Sequence, residues 1–270
     1  MASVDPFVLS LPEVPGRVVV EVPHAGLLLP EPVRQQTRVK PEDTVRDSDP
    51  YVDRLVMGAP ERGAALLTAT VSRYVVDLNR APDDVSTEVV ADHPAAQPTQ
   101  PRGVVWSTTT EGRALWNAPL TFRELSARIA RYHRPYHLAL EELIEATKAR
   151  HGQVILLCVH SMPSTARSGR RADVVPGTRG RTTAASRVID AVDAHFRSKN
   201  LTVRHDEPYR GGYTTGLWGR PADGIHAVQI ELSRALYLDE QTLTPNERGV
   251  AEIQDVLDAL VTTLGALDLA

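Results

Sequence analysis

A chain of 270 residues with 42% hydrophobic content is long enough to bury a full core, as one large α/β domain or two small ones. Its formal net charge of -4 and its scattered arginines exclude the basic stripe of a nucleic-acid binder. Cys158 is the only cysteine, which excludes an intrachain disulfide and a thiolate zinc cluster, and no apolar run approaches the roughly 20 residues of a membrane span.

The opening MASVDPFVLSLPEVPG has no basic region ahead of an apolar stretch, so no export signal is visible and a soluble cytoplasmic protein is expected. Val18–Val22 is β-branched apart from Glu21, which predicts a strand buried on most of both faces, and it runs up to His24. Residues 64–71 and 73–79 read as two further strands or one bent one. From Ala81 to about Thr110 the chain is rich in Pro, Asp, Ser and Thr, a long excursion of the kind that carries function or is disordered. A helix follows. Thr121 and Glu124 have capping-box spacing, and Leu125, Ile129, Tyr132, Leu140, Leu143 and Ile144 form an apolar stripe as far as Arg150, kinked or split at Pro135.

Gly152 ends that helix, and residues 154–159 form a strand leading to His160. Thr182 or Thr183 is expected to cap the next helix, with Val188, Ile189, Val192 and Phe196 on one face. A short strand at 201–204 leads into YRGGYTTGLWG, whose glycines permit tight turns, and 226–232 is strand-like again. The run Thr244, Pro245, Asn246, Glu247 opens a final helix with proline at its first position, packed by Ile253, Val256, Leu257, Leu260 and Leu264. Strands alternate with helices, so the expected class is α/β, a mostly parallel (mixed) central sheet flanked by helices. No repeat or linker divides the chain, and a single domain, 1–270, is expected.

In an open α/β sheet, ligands bind at the carboxyl ends of the strands. One histidine after a strand is ordinarily a hydrogen-bonded turn residue. Two with the same placement, His24 and His160, each leading into a loop, point to a shared metal. With no thiolate pair, such an ion is held by imidazole and carboxylate, as in catalytic zinc sites with three protein ligands and an open position. RDSDPYVD offers Asp47, Asp49 and Asp53 as the third ligand, although an aspartate there equally suits a helix cap. Glu231 lies between Ile230 and Leu232, and a buried acid is costly unless paired or near a metal. It is the candidate general base; a salt bridge to Arg234 is the weaker alternative, because residues three apart in a strand point to opposite faces.

SRYVVDLNR is unusually polar for a strand. Strand alternation puts Arg73, Val75, Asp77 and Asn79 on one face and Tyr74, Val76, Leu78 and Arg80 on the other, so Arg73 and Asn79 approach one ligand while Asp77 steadies a guanidinium. A purely structural Arg–Asp pair reads equally well. GTRGRTT, entering a helix, offers backbone N–H groups and Arg179 to an anion, against the plainer reading of a glycine turn before a capped helix. Tyr209 and Tyr213, beside Gly211 and Gly212, are placed to reach a polarised carbonyl or simply to pack.

With these residues placed, the chain resembles the N-formylglutamate amidohydrolase (N-formylglutamate deformylase) family, related in fold to zinc carboxypeptidases and aspartoacylases. The resemblance runs from about residue 18 to residue 240. It rests on PHAG at 23–26, DSDPYVDRL at 47–55, SRYVVDLNR at 72–80, GVVW and TTTEGRALW at 103–116, RPYH at 134–137, HSMPS at 160–164, PYRGGYTTGLWG at 208–219 and IELSRALYLDE at 230–240. It implies a zinc-carboxypeptidase-like (phosphorylase/hydrolase-like) fold. It further implies hydrolysis of the formamide of N-formyl-L-glutamate to formate and L-glutamate by a zinc-bound water, at the end of a histidine-degradation route. His24, Asp49 and His160 would hold the zinc and Glu231 would be the general base. Arg73 would polarise the scissile carbonyl or grip the substrate, and Asn79 and Arg80 would hold its carboxylate, which requires a bend or bulge if both face the ligand. Arg179 and Tyr213 complete the expected substrate contacts.

The chain departs from the family pattern at Cys158, where an aspartate usually stands two residues before the second histidine. A carboxylate behind a metal-bound imidazole orients it, so its loss bears on metal affinity. The alanine of PHAG, where serine is common, is a minor difference. Co2+ or Mn2+ also suits two imidazoles and a carboxylate. The expected partner is a small acidic N-acyl amino acid, with no nucleic acid and no membrane; oligomeric state is not legible. The other readings are an amidohydrolase for another N-acyl amino acid or a cell-wall peptide, and a catalytically silent binding protein on the same scaffold.

Overall fold

The structure is a computed structural model that describes residues 5–40, 43–96, 102–167 and 169–269. Its strands are β1 (Phe7–Ser10), β2 (Val18–Val22), β3 (Ala65–Ala69), β4 (Val154–Met162), β5 (Thr165–Ala166), β6 (Gly169–Arg170), β7 (Val174–Gly177), β8 (Ile225–Ser233), β9 (Leu238–Asp239) and β10 (Thr244–Pro245). Its helices are α1 (Glu31–Gln36), α2 (Thr44–Asp47), α3 (Val52–Leu55), α4 (Phe122–Arg128), α5 (Arg134–His151), α6 (Ser186–Ser198), α7 (Tyr213–Trp218) and α8 (Glu247–Gly265). Among the described residues, no helix is long and apolar enough to cross a membrane.

Six strands form one sheet in the order β1-β3-β2-β4-β8-β7, while β5 with β6 and β9 with β10 make small two-stranded ribbons. β2 with β4 and β4 with β8 run parallel, and β7 closes one edge antiparallel to β8. This is the mostly parallel, helix-flanked sheet expected from the alternation of elements. Every residue of β4 and β8 is buried. Strands covered on both faces need near-continuous apolar sequence, which VILLCV supplies in β4. Full burial of each of its larger aliphatic side chains is worth about 1.5–3 kcal/mol.

The chain separates into two compact units, one built mainly from Pro23–Asp49 and Thr68–Leu140, the other from Leu9–Val22, Pro50–Leu67 and Glu141–Ala270. In the second unit, α6 buries Val188, Ile189, Val192 and Phe196, the face its periodicity sets. Its start differs from expectation: the helix begins at Ser186, and Thr183 Oγ1 instead donates to Ala227 O at 2.7 Å. α8 buries Ile253, Leu257, Leu260 and Leu264 as expected, with Val250 and Val261 beside them. Proline is not its first residue. Pro245 lies in β10, and Asn246 is the cap, its side chain accepting from the Gly249 N–H. The stretch at 201–204 contributes one isolated bridge, Val203 to Val174, in place of a strand.

In the first unit, residues 73–79 are a chain of turns, which corrects the strand reading. Val75 N donates to Ser72 O and Arg80 N to Asp77 O, contacts within the segment that no extended strand makes. The excursion after Ala81 is largely built in. Asp77 N donates to Val104 O and Val104 N to Asp84 O, and Val104, Val105 and Trp106 are buried, while 97–101 lie outside the described residues. The capping box at Thr121 and Glu124 is present in α4. The helix breaks at a π turn, Ile129–His133, immediately ahead of Pro135. Proline removes a helical donor and crowds the carbonyl four residues back, and a wider turn absorbs both effects.

Candidate active site

His24 stands two residues beyond β2, on a loop stapled to residues 70–72. Leu28 N donates to Thr70 O at 3.1 Å and Ser72 N to Leu28 O at 2.9 Å. The approach explains the glycine of PHAG, since a Cβ on Gly26 would lie 2.4 Å from Val71 O. His24 is buried, with Nε2 at 2.7 Å from Asp77 Oδ1 and Nδ1 at 3.4 Å from Asp49 Oδ2. Asp49 N in turn donates to His24 O at 3.0 Å, so the two residues are tied by backbone as well.

Asp77 is the hub of this unit. Besides His24, it accepts from Arg73 Nη2 at 2.7 Å and Nε at 3.2 Å, from Trp106 Nε1 at 3.0 Å and from the Asn79 N–H at 3.0 Å. Burial by itself raises a carboxyl pKa, but Arg73 and His24 outweigh it here and hold Asp77 well below the usual carboxylate range. Arg73 feels the same pair in reverse: burial opposes its charge, and Asp77 and Asp49 more than restore it. Its guanidinium lies 4.4 Å from the Trp106 ring. Asp77 therefore steadies the guanidinium, as the sequence suggested, through a turn in place of a shared strand face.

The three aspartates of the DSDPYVD stretch separate clearly. Asp47 is committed to bracing, taking the Tyr74 hydroxyl at 2.6 Å and the Thr110 N–H at 2.8 Å, and also the Thr110 hydroxyl. Burial and that carboxylate together push the Tyr74 phenol up. Asp53 is exposed on α3. Asp49 alone of the three stands beside His24. Asn79 is buried and Arg80 half-buried, and with no strand in this segment their side chains are not forced apart. Arg80 Nε is buried without a hydrogen-bond partner among the described residues.

In the second unit, β4 runs two residues past His160, to Met162, so the histidine lies inside the strand and not after it. Parallel pairing sets His160 opposite Glu231 and Cys158 opposite Gln229, while Glu21 of β2 faces Cys158. Strand period two puts His160 with Cys158, and Glu231 with Gln229, on common faces. Gln229 Nε2 donates to Glu231 Oε1 at 2.9 Å, and its own Oε1 accepts from the Gly212 N–H at 2.8 Å. That second bond fixes which way the amide points. Arg234 Nε donates to Ser161 Oγ at 3.2 Å.

His24 and Asp49 are buried side by side in the first unit, and His160 is buried in the second. Imidazole and carboxylate donors of this kind suit a divalent metal. With His24 Nε2 held by Asp77, its Nδ1 is the nitrogen turned toward Asp49, the arrangement in which a carboxylate orients an imidazole for a metal.

A family model described as N-formylglutamate amidohydrolase matches residues 16–238. The chain belongs to the N-formylglutamate amidohydrolase family. An N-formylglutamate deformylase of Pseudomonas aeruginosa is 30% identical over 91% of this chain and 94% of its own length. One from Pseudomonas putida is 28% identical, covering 92% and 91%. The crystal structure of an N-formylglutamate amidohydrolase from Ralstonia eutropha JMP134 matches with a TM-score of 0.89 and 35% identity over 97% of both chains.

Within this amidohydrolase, Cys158, the position where the resemblance leads one to expect an aspartate, is a buried free thiol. Burial and the neighbouring Glu21 push that thiol's pKa well up, so it stays protonated, and Thr214 Oγ1 lies 3.6 Å from its sulfur. The anion site expected at GTRGRTT is already filled. Asp206 accepts from the Thr178 N–H at 2.7 Å and the Gly180 N–H at 2.9 Å, and α6 begins only at Ser186. Arg179 is exposed, and its guanidinium lies so close over α7 that a Cβ on Gly216 would be 1.9 Å from Nη1. Tyr213 is half-buried and opens α7, while Tyr209 lies under Arg171 at 5.6 Å. Gln229 and the bracing role of Asp47 escaped the sequence reading, which named Asp47 only as a possible metal ligand. The alternation in QIE held the signal for Gln229; nothing local marks Asp47, whose partners lie 27 and 63 residues away.

Proposed function

We propose that the chain acts as one catalytic domain, 1–270, that hydrolyses the formamide of N-formyl-L-glutamate to formate and L-glutamate, the closing step of histidine degradation. The observation that carries this reading is membership of this family, with His24, Asp49 and His160 each buried. These three residues would hold one zinc; Co2+ or Mn2+ suits the same donors. When bound, the ion supplies Lewis acidity, lowering the pKa of water toward about 7 and polarising a carbonyl.

Glu231 takes a proton from the water that attacks the formyl carbon and passes it to the nitrogen as the C–N bond breaks, leaving formate and a free amine. Gln229 holds one oxygen of that carboxylate at 2.9 Å, which sets its plane. Arg73, locked against Asp77 and Trp106, places a fixed positive charge toward the oxygen on which charge develops. Asn79 and Arg80 grip one substrate carboxylate, and Arg179 and Tyr213 contact the remainder. A formyl group offers almost nothing to bind, so charge-assisted hydrogen bonds to the carboxylates carry the selectivity.

The test uses zinc-supplemented protein with N-formyl- and N-acetyl-L-glutamate. Turnover that collapses beyond formyl supports the proposal, and absence of turnover on the formyl compound discards it. Glu231→Gln is expected to retain zinc and lose about 10²–10⁴-fold in kcat. Wild-type turnover by that variant removes Glu231 as the base.

A further inference from the structure

Residues 72–80 carry Arg73, Asp77, Asn79 and Arg80 and lie in turns, so among the described residues no sheet ladder donates to their carbonyls. Side chains from the helical stretch after Thr121 do so instead. Arg128 Nη1 donates to Val75 O at 3.3 Å, His137 Nε2 to Leu78 O at 2.9 Å and His133 Nε2 to Arg80 O at 2.9 Å. The two histidines thus take the carbonyls on either side of Asn79. They are one helical turn apart, with ring centroids separated by 4.2 Å.

The placement depends on the π turn. His133 is its last residue, and His137 follows in α5. A π turn rotates the helix after it relative to an unbroken α-helix, and both rings project from that rotated part or its boundary. The chemistry is consistent with steady donors. Burial lowers the basicity of both imidazoles, His137 to about 3, so each remains neutral near pH 7 and offers its single N–H to a carbonyl.

We propose that His133 and His137 are positioning residues that fix the Leu78 and Arg80 carbonyls so that Asn79 and Arg80 are preset to grip a substrate carboxylate. Arg80 Nε, buried without a hydrogen-bond partner among the described residues, is the group such presetting serves. The two anchored carbonyls bracket the backbone of Asn79 and Arg80, which leaves both little freedom to turn. The inference rests on the reading of Asn79 and Arg80 as carboxylate-binding groups in N-formylglutamate hydrolysis.

The experiment measures kcat and KM for N-formyl-L-glutamate and for its two monoamides, with zinc content, in wild type, His133→Leu, His137→Leu and the matching Gln variants. A glutamine amide reaches the place of Nε2 and still donates. The leucine variants are expected to raise KM for N-formyl-L-glutamate at least tenfold with kcat within threefold and zinc retained. Their preference for the dicarboxylate over one monoamide falls by the same factor, and glutamine recovers most of it. Should leucine prevent folding, His133→Asn and His137→Asn, too short to reach the carbonyls, are read the same way. Folded variants with unchanged KM, or with equal losses on all three substrates, overturn the positioning role. Wild type without turnover of N-formyl-L-glutamate takes down the underlying reading and this inference with it; wild-type turnover with unaltered selectivity in the variants takes down only the inference.

Discussion

His160 and Glu231 sit on adjacent strands, held by a backbone ladder running the length of β4 and β8. Arg73, Asp77, Asn79 and Arg80 sit on a segment with no ladder, held by side chains that converge on it from residues 24, 106, 128, 133 and 137. In the first region, geometry is a property of the sheet and survives the loss of any one side chain. In the second, it is a property of a few buried polar groups, and deleting one leaves its partners unsatisfied. Polar substitutions should therefore be far more disruptive around Asp77 than on the strands.

Asp77→Ala tests the contrast most severely. It strands the Arg73 guanidinium and frees His24, and removing one partner of a buried ion pair costs about 3–5 kcal/mol. Urea denaturation should show that loss, and zinc titration a drop of about 10–100-fold in affinity. Unchanged values in both would mean the segment is held in some other way. Next in size is an acid effect at the histidine anchors. His137 has its basicity depressed by burial and by His133, so the unfolded chain binds a proton below pH about 6.5 that the folded chain refuses until about 3. Stability is complete above that window and falls as pH drops through it, by about 2 kcal/mol for His137 between pH 7 and 5. His133, His195 and His226 shift in the same direction, whereas Asp77 begins to lose only below the ordinary carboxylate range near 4. Denaturation of wild type and His137→Gln at pH 7 and 5 isolates the one group; equal losses in both would exclude it.

On the strand side, Gln229→Leu removes the bond to Glu231 and should lower kcat about tenfold, with folding and zinc content unaltered, a hydrogen bond to a charged group being worth about 1.5–3 kcal/mol. A variant that loses zinc or stability instead would show that β8 is less self-sufficient than its ladder suggests. Thr121→Ala, at the capping box of α4, is expected to cost about 1 kcal/mol with KM unchanged.

The same contrast governs what could be read from the sequence. Strands β4 and β8, the buried faces of α6 and α8, and the break near Pro135 follow from periodicity and from proline, which are local signals. Within residues 72–80, Asp77 steadying a guanidinium was also legible. Its conformation was not, because a polar segment alternating like a strand becomes a set of turns once distant side chains satisfy its carbonyls. Thr183 and Pro245 misled for a related reason: each has an ordinary helix-start chemistry, but Thr183 is claimed by Ala227 and Pro245 by a ribbon with β9. Asp206 filled the turn that promised an anion site, a use visible only when residues 178 and 206 meet.

Trp106 has a practical consequence. Its indole is buried, donates to Asp77 and faces the Arg73 guanidinium, so any charge arriving at this carboxylate is felt directly by a fluorophore. In a Trp116→Phe/Trp218→Phe background, the emission of that ring is expected to report loading of the proposed centre without a label.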